Sequence, residues 1–168
     1  MHAHDAGQPA VAGGDLLVNN AGIYGPRGMG LGSMDYEAWD HVLRINAMGP
    51  LALAERLVKN VAGSARRLIV AISSAMGSIG RNTGGGSYAY RSSKAALNMA
   101  MKCLALDTAA RGITVAVLHP GWVRTEMGGE SAPVSVEESV SGMRRVIDRL
   151  GPGDSGKFFG YDGAELPW

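Results

Sequence analysis

A chain of 168 residues with 16 Lys+Arg against 15 Asp+Glu, a net charge of +1, has the size of one domain and lacks the basic excess of a nucleic-acid binder. The single cysteine, Cys103, excludes a disulfide framework and a multi-cysteine zinc site, and no apolar run nears the ~18 residues of a membrane span. With 46% hydrophobic residues, 25 glycines and no apolar signal core between Met1 and Gly14, the composition is that of a cytoplasmic α/β protein.

Residues 1–14 read as a coiled tail and 15–168 as one folded unit. Asp15 to Asn20 is a short apolar run ended by Asn and Gly, which predicts a buried strand. A glycine-rich loop over 22–32 leads to Asp35, an expected N-cap, and Trp39, Val42, Leu43 and Ile45 then recur at helical spacing. The pattern continues to Val58, predicting a long helix adjusted near Pro50. Arg67 to Ser73 is a second buried strand. Tyr88 to Ala110 is a long helix, apolar nearly all round from Ala95 to Leu106 and so expected to be buried on more than one side. Thr114 to His119 is a third strand, Ser135 with Glu138 a capping box opening a helix to Leu150, and Gly156 to Gly160 a fourth strand. Strands alternating with helices predict a doubly wound parallel sheet of four strands, a Rossmann-like α/β fold with helices on both faces.

The strand ends carry the polar residues, where open α/β sheets gather their chemistry. Asn19-Asn-Ala-Gly22 follows the first strand, Ser73-Ser74 the second and Pro120-Gly121 the third. Tyr90 and Lys94 begin the long helix at i and i+4, one turn apart on one face. An ammonium so placed favours the phenolate and pulls the phenol pKa down from about 10. Tyr90 is therefore the candidate general acid/base, and Ser74 a hydrogen-bond donor to the same substrate oxygen. Tyr88 is the rival, but Lys94 lies on another face from it. His2 and His4 read as incidental, His119 as a strand-end packing residue and Cys103 as inert core, so no metal site is expected.

Each motif alone is weak; together and in this order they resemble the short-chain dehydrogenase/reductase family. The matching positions are Asn19 to Gly22, the helix residue Asn46, Ser74, Tyr90 with Lys94, and Pro120-Gly121 with Thr125. Ser73 to Ile79, Gly86 to Asn98, His119 to Gly129 and the ending Tyr161 to Trp168 look like the C-factor and sniffer-type members. The resemblance implies an oxidoreductase that interconverts carbonyl and alcohol with NAD or NADP. It implies Tyr90 as acid/base, Lys94 as the residue that lowers its pKa and binds the nicotinamide ribose, and Ser74 as the holder of the substrate oxygen. Asn46 would anchor a proton-relay water. Asn20, Ala21 and Gly22 would line the adenine-ribose side of the cofactor. Pro120, Gly121, Val123 and Thr125 would hold the carboxamide.

The family begins with a strand, a Thr-Gly-x-x-x-Gly-x-Gly turn and a helix whose N-terminus receives the pyrophosphate. Nothing of that kind stands before Asn19, and Gly28-Met-Gly-Leu-Gly32 has neither the spacing nor the preceding strand. Weak or absent NAD(P) binding is therefore expected of these residues. Two functions follow: an oxidoreductase acting on a small carbonyl or alcohol compound in the cytoplasm, or a non-catalytic C-factor-like intercellular signal at the cell surface or outside. Neither nucleic acid nor membrane is an expected partner. The family's pairing of long helices implies a homodimer, and Leu16 to Val18 is expected to form an open sheet edge prone to self-association.

Overall fold

Four short strands, β1 (Leu16–Asn19), β2 (Leu68–Ile72), β3 (Thr114–His119) and β4 (Lys157–Gly160), pair in parallel in the order β1-β2-β3-β4. The structure is a computed structural model and describes residues 14–168; the expected tail lies outside them apart from Gly14. Side chains alternate across the sheet as the two-residue period of a strand requires. Ile69, Ala71, Val115, Val117 and Phe158 point to one face. Leu68, Val70, Leu118 and Phe159 point to the other. Being buried on both faces, the inner strands are continuous apolar runs.

The first face is covered by α2 (Gly49–Ala62) and α3 (Tyr88–Thr108), the second by α4 (Val136–Arg149). The expected N-caps form: Asp35 accepts from the Ala38 amide at 2.9 Å to start α1 (Tyr36–Leu43), and Ser135 accepts from the Glu138 amide at 3.1 Å to start α4, while the Glu138 carboxylate expected to complete the box accepts from Tyr161. The break in the long first helix comes earlier than the proline. Residues Arg44–Met48 form a π-helical turn, and Pro50 then sits in the opening turn of α2, where its missing N–H costs nothing.

Helix α3 is buried along one face only, through Tyr90, Ser93, Lys94, Leu97, Met101, Leu104 and Ala105. Its outer face leaves Met99 65% and Leu106 67% exposed, and Cys103 is exposed there too, not core. The apolar run had suggested enclosure, but sheet and helices approach α3 from one side. No helix among the described residues is long and apolar enough to cross a membrane.

Candidate active site

The C-terminal ends of β1 and β2 and the first turns of α3 converge at one point. At Gly22 a Cβ would come within 3.3 Å of both Asn46 Oδ1 and Lys94 Nζ, so the bare glycine lets these two side chains close behind the loop. Asn46, fully buried in the π-helical turn, accepts from the Ile23 amide at 2.8 Å. It donates through Nδ2 to the Ile23 carbonyl at 2.7 Å and to Ser93 Oγ at 2.9 Å. The extra residue in the helical turn thus aims one amide at both the β1 loop and α3, a common use of π-bulges at functional sites. Gly77 does the same for β2: a Cβ there would lie 2.8 Å from the Lys94 backbone, so only glycine admits this approach. Ser73 and Asn98 close the contact, with Ser73 Oγ donating to Asn98 Oδ1 at 2.6 Å and Asn98 Nδ2 to the Gly77 carbonyl at 3.3 Å.

Lys94 Nζ donates to the Ile72 carbonyl at 2.9 Å and lies 5.9 Å from the Tyr90 ring centroid. Desolvation of its ammonium brings its pKa down to about 8. Tyr90, 8% exposed, stacks on Tyr24 with ring centroids 4.6 Å apart, and Tyr24 shares a 2.7 Å hydrogen bond with Ser87 at the head of α3. Its phenol is held above the usual tyrosine value, first by burial, with Ser74 pulling the other way through a side-chain hydrogen bond. The lowering expected from Lys94 is not what sets this phenol: burial raises it, and the ammonium is turned to the Ile72 carbonyl. Ser74 also caps the turn at Ala75–Gly77, accepting from the Met76 amide at 3.1 Å.

Ser74 and Tyr90 open into a cleft of about 710 Å³ above the strand ends. Of the residues expected at a dinucleotide, Asn20, Pro120, Gly121, Val123 and Thr125 line it; Ala21 and Gly22 do not, the latter being turned to Asn46 and Lys94. Thr125 Oγ accepts from the Gly128 amide at 3.1 Å, shaping the loop after β3. His119 also lines the cleft, and its Nδ1 is buried without a partner. Burial and Arg81 bring its pKa down to about 4, so the imidazole is neutral. A mixed apolar and backbone-polar wall of this kind fits the nicotinamide end of NAD(P). Among the described residues no glycine-rich helix N-terminus opens onto the cleft to seat a pyrophosphate.

Sequence reading brought together Asn46, Ser74, Tyr90 and Lys94, and they do meet. It missed Tyr24, Ser93, Asn98 and the Ile72 carbonyl. Ser93 and Asn98 share the buried face of α3 with Tyr90 and were readable from spacing; Tyr24 has no local signal.

Residues 8–134 match the short chain dehydrogenase family. The chain belongs to that family. It is similar to the C-signal of Myxococcus xanthus, at 46% identity over 154 residues that make up 92% of either chain. It is 38% identical over 142 residues to 1-hydroxy-2-glutathionyl-2-methyl-3-butene dehydrogenase of Rhodococcus sp. (strain AD45), covering 82% of this chain and 62% of that one. Carbonyl reductase Sniffer of D. melanogaster superposes with a TM-score of 0.88 at 40% identity, over 93% of this chain and 67% of that one. The NADPH-bound carbonyl reductase from chicken fatty liver gives 0.86 at 35% identity, over 94% and 67%.

Proposed function

We propose that the site is that of a carbonyl–alcohol oxidoreductase working with NAD or NADP. The observation that carries the proposal is the meeting of Tyr90 and Ser74, from two separate elements, on the wall of a cleft at the strand ends, with Lys94 buried one turn along α3 from Tyr90 and bonded to the Ile72 carbonyl. Tyr90 donates its proton to the carbonyl oxygen, and Ser74 holds that oxygen in place. A phenol raised by burial stays protonated at neutral pH, which suits reduction of a carbonyl. Lys94, brought down to about 8, holds and releases a proton in the range needed to recharge Tyr90. Asn46 is linked through Ser93 to the Tyr90 carbonyl and so helps to position that turn of α3. Asn20, Pro120, Gly121, Val123 and Thr125 are the residues that would hold the nicotinamide end, and the dinucleotide supplies the hydride when bound. Two relatives are named carbonyl reductases and one a dehydrogenase of a hydroxy compound, the two sides of the same couple. In a chain joined to a dinucleotide-binding half, Tyr90→Phe is expected to lower carbonyl reduction about a thousandfold with the fold intact. Undiminished turnover would move the chemistry to Tyr88.

A second reading, a non-catalytic intercellular signal, is favoured by the identity to C-signal over nearly the full length of both chains. It places the protein at the cell surface or outside rather than in the cytoplasm. The purified chain and its Tyr90→Phe variant, added to cells lacking the protein, separate the two. Equal rescue supports a signal, and rescue by the wild type alone supports the enzyme.

A further inference from the structure

Arg27 stands in the loop between β1 and α1, exposed yet held in place. Its Nη2 donates to the Met127 carbonyl at 3.0 Å, joining loops 100 residues apart, and its guanidinium carbon lies 5.1 Å from the Tyr24 ring centroid. Tyr24 in turn stacks on Tyr90. These three side chains line both the large cleft and a neighbouring cavity of about 210 Å³. No carboxylate lines either space, His119 is neutral, and among the described residues Arg27 has no ion pair.

We propose that Arg27 is the anion-recognising residue of this cleft and that its substrate is a carbonyl compound bearing a carboxylate. A guanidinium offers five N–H donors in a planar fork matched to a carboxylate, and one hydrogen bond to Met127 leaves the rest available. The aromatic ring beneath it and the carbonyl beside it fix the side chain, so little rotamer freedom remains to be lost on binding. With no counter-charge on the cleft walls, its field acts on the ligand alone. One ring stack away, Tyr90 addresses the carbonyl oxygen. The assignment rests on that role for Tyr90, and the experiment keeps the two apart.

The test is equilibrium binding to the chain as it stands, followed by NMR titration with 4-formylbenzoate, methyl 4-formylbenzoate and benzoate. The aldehyde acid is expected to bind about tenfold tighter than its neutral ester. Arg27→Gln equalises the two, Arg27→Lys keeps part of the preference, and added salt narrows it. Equal affinities in the wild type, a preference undiminished in Arg27→Gln, or no binding of the aldehyde acid at millimolar concentration would each overturn the proposal. In Tyr90→Phe the preference for charge persists, while the advantage of 4-formylbenzoate over benzoate falls. If that advantage survives, Arg27 keeps its assignment and Tyr90 loses its own.

Discussion

The two faces of the sheet are finished to different degrees. Under α2 and α3 the polar machinery is enclosed, with Tyr90, Lys94 and Asn46 at 8%, 4% and 0% exposure. Across the sheet, α4 reaches β2, β3 and β4 but leaves Val18 of the edge strand 41% exposed. Val136 and Val140 on α4 and Trp122 on the loop after β3 are 44%, 45% and 55% exposed around the cleft. Proton handling and dinucleotide grip are thus separable in this fold. The first needs only burial and a few staples among β1, β2 and α3, all present among the described residues. The second needs a glycine-rich turn leading into a helix N-terminus at the cleft, and among the described residues the helix that begins there, α4, is entered from Pro133-Val-Ser135 instead.

The largest expected effect on stability concerns the enclosed face. Lys94 is lowered from 10.5 to about 8, so between those values the unfolded chain binds more protons than the folded one. Its contribution to stability therefore rises with pH across that window, by on the order of 3 kcal/mol in full. Urea unfolding from pH 8 to pH 10 should show the wild type gaining on Lys94→Met; parallel curves would mean that Lys94 is not desolvated. A smaller loss, about 1–3 kcal/mol, is expected for Gly77→Ala, because the added carbon meets the Lys94 backbone. The same variant should shift the ultraviolet titration of Tyr90, and an unshifted titration would detach Gly77 from the site.

His119, on the cleft side, is lowered from 6.5 to about 4. Its contribution is present above pH 6.5 and is lost as pH falls through 4, by on the order of 3 kcal/mol. His119→Gln should flatten that limb of an acid unfolding curve relative to the wild type, and an unchanged limb would place the imidazole in water. The smallest effect on the folded chain belongs to the surfaces. We expect a dimer through the outer faces of α2 and α3, where Leu53, Met99 and Leu106 are exposed, with β1 as a secondary site of sticking. Light scattering over a dilution series should show Met99→Lys dissociating the dimer and Val18→Lys removing only larger species. A monomer at high concentration, unchanged by either substitution, would remove both surfaces from the account.

What sequence disclosed follows the range of the interactions. The four strands, the Asp35 and Ser135 caps and the Tyr90–Lys94 pair are set by local period and spacing, and all were legible. The exposure of Cys103, the π-helical turn around Asn46 and the upward shift of Tyr90 depend on what packs against them from distant segments. Tyr24 is the clearest case, since a glycine-rich loop had to bring it onto a ring 66 residues further along the chain. An apolar helix likewise shows that it can be buried, not on how many sides.

Calorimetric titration of NADPH and NADH into the purified chain tests the separation of the two halves most directly. With no glycine-rich pyrophosphate seat among the described residues, several charge-assisted hydrogen bonds of about 1.5–3 kcal/mol each go unmade there, so dissociation constants no tighter than about 1 mM are expected. Micromolar affinity for either dinucleotide would contradict the account, because the open face would then already grip what it is argued to lack.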